Sequence, residues 1–302
     1  MNRNFNEIYK EISSKGFEEI LNLKRIRNAR FTLFLLAVIL VMIFCETLIQ
    51  FGDVIISVGL LFIIIAFISF MISDSKYKKT FKTHIMSKII NLYKSDFIYE
   101  PSKGVTSIEY IAGFQDGFFT EFHSEDLIEG FIDDSTYFKM SQVTIIREDV
   151  EITSEGHRKT QKVTLFDGLY GMVETKDKIL TPLEIKANKF FSRYSKNRIE
   201  IDSQEFEKQY DLFAENKVRA MEIFTSDVID EINMLKVDTC FPIELKIQKN
   251  NIYFRIPCGE AFEAPLMKNA NDYNTLYKYF RMIDSPLGIV EKLIKNANET
   301  QM

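Results

Sequence analysis

The sequence contains no tryptophan and only three cysteines, three histidines and six prolines among its 302 residues. No C-x-x-C pair occurs, and such sparse cysteine usage is typical of a reducing cytoplasm. The Walker, dinucleotide-binding, nucleophile-elbow and H-E-x-x-H motifs are also absent, which excludes nucleotide-binding and hydrolytic sites of those types. The sequence therefore predicts neither a cofactor nor a metal centre nor an assigned catalytic residue.

Two long stretches carry no charged residue, Phe31–Cys45 and Val54–Ile72. The second would be about 28 Å long as a helix, close to the thickness of a bilayer's hydrocarbon core. Neither stretch has the polar stripe of a helix buried in a soluble core. We predict a transmembrane hairpin over residues 31–72, with residues 45–53 as its turn. A cleaved signal peptide fits less well, because thirty residues precede the first stretch.

Basic residues flank both stretches, while the turn between them holds only Glu46 and Asp53. Because positive charge favours the cytoplasmic side, we expect a two-pass protein of the cytoplasmic membrane with both termini in the cytoplasm. The composition, rich in Ile, Phe, Lys and Asn, is typical of an AT-rich bacterial genome. The flanking residues that set this topology are Lys24, Arg25, Arg27, Arg30, Lys76, Lys78, Lys79 and Lys82.

The formal net charge is −5, and the acidic excess lies after the hairpin. Nucleic-acid binding depends on basic surface, so nucleic acid is excluded as a partner. The basic flanks suit contacts with anionic lipids. We expect the lipid bilayer and a protein in the membrane or cytoplasm as partners, and the sequence leaves the oligomeric state open.

Hydrophobic spacing divides the chain further. Phe5, Ile8 and Ile12 follow a helical period, as do Phe81 and Ile85 after the hairpin. These two helices are expected to pack together or to lie on the inner leaflet. The predicted segments are a cytoplasmic amphipathic helix (1–30), the transmembrane hairpin (31–72), a juxtamembrane helix (73–97) and a cytoplasmic domain (98–302).

The cytoplasmic domain has mostly strand patterns, which predict an α+β fold with a mostly antiparallel sheet and flanking helices. Residues 127–132 and 137–147 form one predicted hairpin around a four-residue polar turn. Residues 162–175 form a strand in which two glycines indicate a bulge or a close backbone approach. Residues 151–161 are predicted as an exposed loop.

Residues 241–258 form the clearest hairpin, with a two-residue turn at 249–250 or 250–251. Its alternation gives Cys258 core parity and Cys240 the opposite parity, so a disulfide between them is not expected. Helices are predicted at 106–114, from a cap at Thr225 or Ser226 to 236, and at 271–282. A last helix is expected to begin with Ser285 as N-cap and Pro286 as its first residue. Residues 199–213 fit either strand or helix.

One polar cluster stands out, the segment EFHSED, whose ionisable residues are Glu121, His123, Glu125 and Asp126. A histidine beside three carboxylates could form a metal site or a general acid/base pair. A polar loop before the strand at Leu127 is the simpler interpretation. We favour the loop, because no second cluster in the sequence completes a site.

Three segments resemble the bacterial membrane proteins catalogued as domain of unknown function 3137. They are GFFTEFHSEDLIEGFID (117–133), TLFDGLYGMVET (164–175) and IDSQEFEKQYDLFAENKVRAMEIFT (201–225). The resemblance covers roughly residues 85 to 265, and it implies membership and topology but no activity. In such motifs Phe166, Leu169 and Phe206 look like core residues, and Asp167 or Asp126 like turn and cap formers.

These observations favour a membrane-anchored, non-catalytic interaction or scaffold protein of the bacterial envelope. One alternative is a membrane-anchored enzyme, such as a hydrolase, that uses His123, Glu125 and Asp126. A concave pocket around these side chains would favour the enzyme, and an open loop would count against it. Another alternative is an accessory subunit of a transport or sensing complex.

Overall fold

The computed structural model describes residues 4–15, 17–51, 53–152, 158–176, 181–188 and 197–299. The chain divides into two compact units. The helical unit comprises Met1–Tyr93 and Glu263–Thr275, and the sheet unit comprises Lys94–Phe262 and Leu276–Met302. The segment 263–275 therefore groups with the N-terminal helices, although it follows the sheet in sequence.

The helical unit is built on two long apolar helices. Phe31 packs against Phe70 at a ring distance of 5.1 Å, and Phe34 packs against Phe67 at 5.5 Å, so the two helices run antiparallel. Its elements are α1 (Phe5–Lys15), α2 (Glu18–Phe51), α3 (Asp53–Thr80), a π-helical segment (Phe81–Met86) and α4 (Ser87–Tyr93). The predicted turn at 45–53 is too long, because α2 continues to Phe51 and α3 begins at Asp53; Gly52 lies outside the described residues.

The predicted amphipathic N-terminal helix (1–30) corresponds to α1 and to the first part of α2, which continues into the apolar stretch. Phe5, Ile8 and Ile12 of α1 are buried, and α1 contacts α4 within the helical unit. The predicted juxtamembrane helix is the continuation of α3 through the π-helical segment into α4. Of the two arrangements expected for these helices, the structure has them packed together.

The sheet unit contains a nine-stranded sheet in which every pair of neighbours is antiparallel. The order across the sheet is β1-β2-β3-β4-β9-β8-β5-β7-β6. The predicted α+β class is therefore confirmed. The strands are β1 (Ile98–Glu100), β2 (Glu121–Asp133), β3 (Thr136–Ile152), β4 (Arg158–Thr175), β5 (Leu183–Ala187), β6 (Arg198–Ile199), β7 (Tyr210–Phe213), β8 (Glu244–Gln248) and β9 (Asn251–Ile256).

Both predicted hairpins are present. Between β2 and β3, the Asp133 carboxylate accepts hydrogen bonds from the backbone N–H of Ser135 at 2.8 Å and from its hydroxyl at 3.0 Å, which forms an Asx turn. Between β8 and β9 the turn residues are Lys249 and Asn250. Each hairpin places its apolar residues on one face, as the alternation predicts.

Five helices complete the described part of the sheet unit or lead into it. The predicted short helix is α5, whose first turn is closed by a capping box between Thr106 and Glu109. Thr225 occupies the N-cap position of α8, although its side chain forms no capping hydrogen bond. The helices are α5 (Ser107–Gly113), α6 (Gln204–Glu207), α7 (Lys217–Ile223), α8 (Ser226–Thr239) and α9 (Tyr273–Glu299).

The predicted helix start at Ser285 and Pro286 is wrong, because α9 runs through both residues without a break. A proline inside a helix costs about 3 kcal/mol. Leu276, Ile283 and Leu287 are each almost completely buried, and burying a side chain of this size contributes about 1.5–3 kcal/mol. The continuous apolar face of α9 therefore outweighs the local cost of the proline.

Two predicted loops are strand in the structure. EFHSED lies in β2, where Glu121 pairs with Ile146 and Glu125 with Gln142. Within the segment 151–161, β3 extends to Ile152 and β4 begins at Arg158. Residues 153–157 lie outside the described range. Polar sequence alone suggested loops here, but backbone pairing with a neighbouring strand extended the sheet.

The sheet is buried on both faces by residues of opposite parity. On one face a core cluster contains Tyr110 and Phe114 around α5, together with Val143, Ile145 and Tyr170 of the sheet. On the other face the buried side chains include Phe138, Met140, Leu169, Val173 and Phe254. We call the second surface the even face, after the parity of its β3 residues.

Candidate functional site

The even face changes from apolar to polar towards the start of β2. His123 pairs in register with Thr144, and Thr144 pairs with Asp167. Cross-strand neighbours lie on the same side of a sheet, so these three side chains form a polar row. The predicted cluster thus lies at the border between the buried core and an open polar surface.

Glu121 and His123 lie together, as the sequence suggested. Glu121 Oε2 is 3.4 Å from His123 Nε2, and the other carboxylate oxygen accepts a hydrogen bond from Lys162 on β4. The hydrogen bonds from Lys162 and then from His123 hold the pKa of Glu121 below its usual range. The His123 side chain is 66 % exposed, so this group is an ion cluster open to solvent.

Asp126 is separated from that cluster. It is completely buried, and its backbone has a φ of 59°, in the left-handed region that aspartate tolerates better than most residues. The pairing of β2 with β3 shifts between Glu125 and Ile128, which marks a β-bulge at this point. Tyr99 donates a hydrogen bond to Asp126 Oδ1 at 2.6 Å. Asp126 therefore anchors the bulge, which differs from the predicted role in a turn or cap.

A cavity of about 620 Å³ opens beside the polar row. His123 and Glu125 of the predicted cluster line it, together with Gln142, Thr144 and Glu260. Sequence reasoning missed the last three residues. The sequence indicated Gln142 and Thr144 only weakly, because they are polar while Phe138 and Met140, the two β3 residues of the same parity just before them, are apolar.

Asp167 holds two of the residues that line this cavity. Its Oδ1 accepts hydrogen bonds from Gln142 Nε2 at 3.1 Å and from Thr144 Oγ1 at 3.0 Å. Gln142 also donates to the carbonyl of Gly259 at 2.9 Å and accepts from the N–H of Ala261 at 3.1 Å. Because Glu260 lies between Gly259 and Ala261, these two hydrogen bonds hold it at the rim of the cavity.

Gly168 allows β4 to approach the chain that follows β9. A Cβ at this position would lie 2.1 Å from the carbonyl oxygen of Ile256, a distance that no side chain could accept. The N–H of Gly259 bonds to the carbonyl of Asp167 at 3.1 Å. The predicted close approach is therefore confirmed, and it fixes the same segment that Gln142 holds.

A second polar group lies on the opposite face and was not predicted. Arg255 on β9 donates to both carboxylate oxygens of Asp116, at 2.7 and 2.8 Å, and to Glu244 at 2.6 Å. Its guanidinium carbon lies 4.4 Å from the ring centre of Phe114. Burial lowers the pKa of Arg255, but the hydrogen bond to Asp116 and the charge of Glu244 outweigh burial, so the net shift is upward. This fully paired cation stabilises the core.

The ends of β3 and β4 extend beyond the rest of the sheet. Residues 147–152 of β3 pair with residues 158–163 of β4, and within the described chain no other strand pairs with them. Six residue pairs span about 20 Å. We call this two-stranded segment the β-ribbon. Its outer edges are available for pairing, because no described strand occupies them. An added strand would also stabilise the ribbon, since two strands alone are only marginally stable.

In the helical unit, the apolar stretches of α2 and α3 are long enough to cross a membrane and lie mostly exposed. Only 6 % of the apolar window in Glu18–Ile43 and 11 % of that in Ser57–Tyr93 is buried. A core helix of a soluble protein would have most of this surface covered. The two helices therefore have the length, the composition and the uncovered surface of membrane spans.

Several of the flanking cations predicted to set topology take part in contacts of the helical unit. Arg27 pairs with Asp74 at 2.6 Å, and Lys82 pairs with Glu263 at 2.7 Å. Lys24 is 5 % exposed and donates to the carbonyl of Pro265. By contrast, Arg25, Lys76 and Lys79 are exposed and form no ion pair with any described residue.

Comparison with known proteins gives a family but no relative of known function. No curated protein and no solved structure matches the chain. The model of the family described as "Protein of unknown function (DUF3137)" matches residues 138–295. This range contains two of the three segments that carry the resemblance, 164–175 and 201–225, and it covers more than half of the chain. The chain belongs to the DUF3137 family.

Proposed function

We propose that this protein is a two-pass protein of the bacterial cytoplasmic membrane whose sheet unit binds a protein partner in the cytoplasm. It acts as a scaffold and carries out no reaction of its own. The exposed apolar surface of α2 and α3 is the observation that carries the anchoring. In water this surface would be strongly unfavourable, whereas a bilayer would cover it.

The orientation follows from charge. Basic residues stand on both flanks of the hairpin and are absent from its turn, which supports cytoplasmic termini. Fusions of alkaline phosphatase and of green fluorescent protein to each terminus test this placement. Fluorescent but phosphatase-inactive fusions at both ends are expected. An active phosphatase at either end would contradict it.

The β-ribbon is the part of the sheet unit best suited to bind a partner. Residues 158–162 of β4 are all exposed, and an unpaired edge can accept an added strand. This edge carries Arg158, Lys159 and Lys162 and no acidic residue, and of these cations Lys162 is already paired with Glu121 and Glu148. Arg158 and Lys159 form no ion pair with any residue that the structure describes. The partner that complements this charge is an extended acidic segment of another protein.

Photo-crosslinking from the ribbon tests this proposal. A photoreactive amino acid at Thr160 in the full-length protein is expected to give a reproducible adduct in intact cells. Mass spectrometry should map the adduct to an acidic extended segment. A synthetic peptide of that segment should bind the detergent-solubilised protein, with an affinity that falls as salt rises. A partner from a transport or sensing system would make the protein an accessory subunit.

The matched controls separate the ribbon from the rest of the surface. The same photoreactive group at Val237, an exposed position on α8, should give no such adduct. Lys159→Glu should abolish the adduct from Thr160, and Lys159→Arg should preserve it. An adduct unaffected by Lys159→Glu, or one formed with a second copy of this chain, would contradict an acidic heterologous partner.

The cavity favours a second candidate function, a membrane-anchored hydrolase. His123 and Glu125 line it beside other polar groups, although Asp126 lies buried in the bulge. If His123 acts as a general base, the purified protein should hydrolyse a member of an ester and phosphoester panel. His123→Ala should abolish that activity, while His84→Ala, at an exposed histidine of the helical unit, should leave it unchanged. Equal activity in both variants would exclude this site.

A further inference from the structure

We propose that Leu266 and Met267 form a third membrane contact, in which they insert into the anionic headgroup layer beside the two spans. The inference rests on the proposed membrane anchoring and extends it. Leu266 is 50 % exposed and Met267 is 96 % exposed. Two adjacent large apolar side chains left uncovered are unusual on a water-exposed loop.

The backbone of this segment is held by both spanning helices. The carbonyl of Pro265 accepts hydrogen bonds from Lys24 Nζ on α2 at 3.2 Å and from Tyr77 OH on α3 at 3.0 Å. Tyr77 is completely buried, and Lys24 almost so. Such buried donors fix the position of an acceptor far better than exposed ones. These buried hydrogen bonds therefore fix the backbone position from which Leu266 and Met267 project.

A second pair of contacts strengthens that support. Glu263 accepts a charge-assisted bond from Lys82 at 2.7 Å, and Arg27 Nη1 lies 3.5 Å from the carbonyl of Leu266. The segment is thus held through the side chain of Glu263 and the carbonyls of Pro265 and Leu266, while the side chains of Leu266 and Met267 remain uncovered. Lys268 and Asn269, which follow them, are exposed polar residues.

The supporting residues place the segment at headgroup depth. Arg27 precedes the apolar stretch of α2 by four residues, and Tyr77 follows that of α3 by five. At 1.5 Å per residue these offsets are about 6 and 8 Å. The headgroup layer on each side of a bilayer is roughly 5–8 Å thick. The loop therefore lies where apolar side chains can reach the acyl boundary.

Charge identifies the lipid. Arg25, Lys76 and Lys79 stand on the same flanks, exposed and without an ion pair in the described part of the chain. Each cation close to an anionic membrane surface contributes about 1 kcal/mol. Exposed apolar residues combined with unpaired cations complement an anionic phospholipid surface better than a zwitterionic one. The geometry therefore points to anionic phospholipid around this loop.

The absence of tryptophan makes a direct test possible, since any introduced tryptophan is the only one in the protein. Full-length Met267→Trp is reconstituted into vesicles of phosphatidylglycerol and acyl-brominated phosphatidylcholine, whose bromines quench buried tryptophan. Phe62→Trp, on the exposed apolar surface of α3, is the control for the span. Val237→Trp, exposed on α8, is the control for the aqueous surface.

We expect brominated lipid to lower the emission of Met267→Trp roughly twofold, as for a side chain at the acyl boundary. Phe62→Trp should be quenched at least as strongly, and Val237→Trp should be unaffected. Replacing phosphatidylglycerol with phosphatidylcholine should weaken the quenching of Met267→Trp. Lys76→Gln combined with Lys79→Gln should reduce that dependence on anionic lipid.

The quenching results distinguish failure of the proposed lipid contact at Met267 from failure of the proposed membrane anchoring. If Phe62→Trp is quenched while Met267→Trp behaves like Val237→Trp, the third contact is overturned and the spans remain. If neither Phe62→Trp nor Met267→Trp is quenched, the membrane anchoring itself is overturned. Quenching of Met267→Trp that is equal with and without phosphatidylglycerol would overturn the preference for anionic lipid.

Discussion

Arg198 Nε donates to Asp211 Oδ1 at 2.6 Å, and the side chain of Asp211 has no exposed surface. Arg198 also pairs with Glu207, whose other oxygen accepts the N–H of Ile201 at 2.7 Å. Glu207 and Asp211 belong to the segment EFEKQYD, part of the resemblance to the family. The acidic residues of this motif therefore hold β6 against β7, and their role is to maintain the fold.

Replacing Asp211 with alanine should destabilise the sheet unit. Arg198 would keep its charge in a site where its side chain is only 10 % exposed, and breaking a buried ion pair costs about 3–5 kcal/mol. Thermal unfolding followed by circular dichroism in detergent should show a melting temperature lower by roughly 6–12 °C. Glu200→Gln is the control, because that side chain is 91 % exposed and 3.9 Å from Arg198. An equal decrease in melting temperature for Asp211→Ala and Glu200→Gln would show that the buried Arg198–Asp211 ion pair does not stabilise the fold.

Gly171 should not accept a side chain. A Cβ there would lie 2.1 Å from the ring of Phe254, which is completely buried and cannot move aside. Gly171→Ala should cost about 2–3 kcal/mol of the free energy of unfolding. Gly288→Ala is the matched control, since its nearest neighbour would be 3.6 Å away. On a helix that change should be neutral or stabilise by up to about 1 kcal/mol.

Asp272 caps α9, since its Oδ2 accepts hydrogen bonds from the hydroxyl of Thr275 at 2.6 Å and from its N–H at 3.0 Å. The hydroxyl bond, followed by the backbone bond, holds the pKa of Asp272 below its usual range. A lowered folded pKa gives stability that is present above the unfolded pKa and lost as pH falls through the folded value. The relevant window is therefore below about pH 4.

Asp272→Ala should lose about 1 kcal/mol of stability at pH 7, as for the loss of an N-cap. Asp272→Asn retains a capping oxygen but cannot titrate. Acidification from pH 7 to pH 3 should therefore destabilise the wild type more than Asp272→Asn in chemical unfolding curves. A wild type and an Asn variant that lose equal stability on acidification would refute the capping carboxylate.

Cys258 should react slowly with thiol reagents. Burial raises the pKa of its thiol to about 11, so only about one thiol in a thousand is ionised at pH 8. Cys240 is exposed. Maleimide labelling followed by peptide mass spectrometry should find Cys240 modified and Cys258 largely intact. Labelling of Cys258 at the rate of Cys240 would show that its side chain is open to solvent.

Features that repeat at short range were predicted well. The two hairpins follow from a period of two residues and α1 from a period of 3.6, while the apolar stretches of α2 and α3 follow from their lack of charge. Burial of the predicted core residues Phe166, Leu169 and Phe206 confirms that reading. In the candidate site, His123 and Glu125 were found because a histidine beside carboxylates is rare in this chain.

The sequence by itself determined the elements whose cause is local: an uncharged run, an alternation, a turn residue. Tertiary structure alone decided the rest, because the partners are distant in sequence. Gln142 is 119 residues from Ala261, whose N–H it accepts, and no local pattern encodes such a pairing. The same holds for the strand at EFHSED and for Pro286 inside α9, where backbone pairing and apolar burial outweigh local preference.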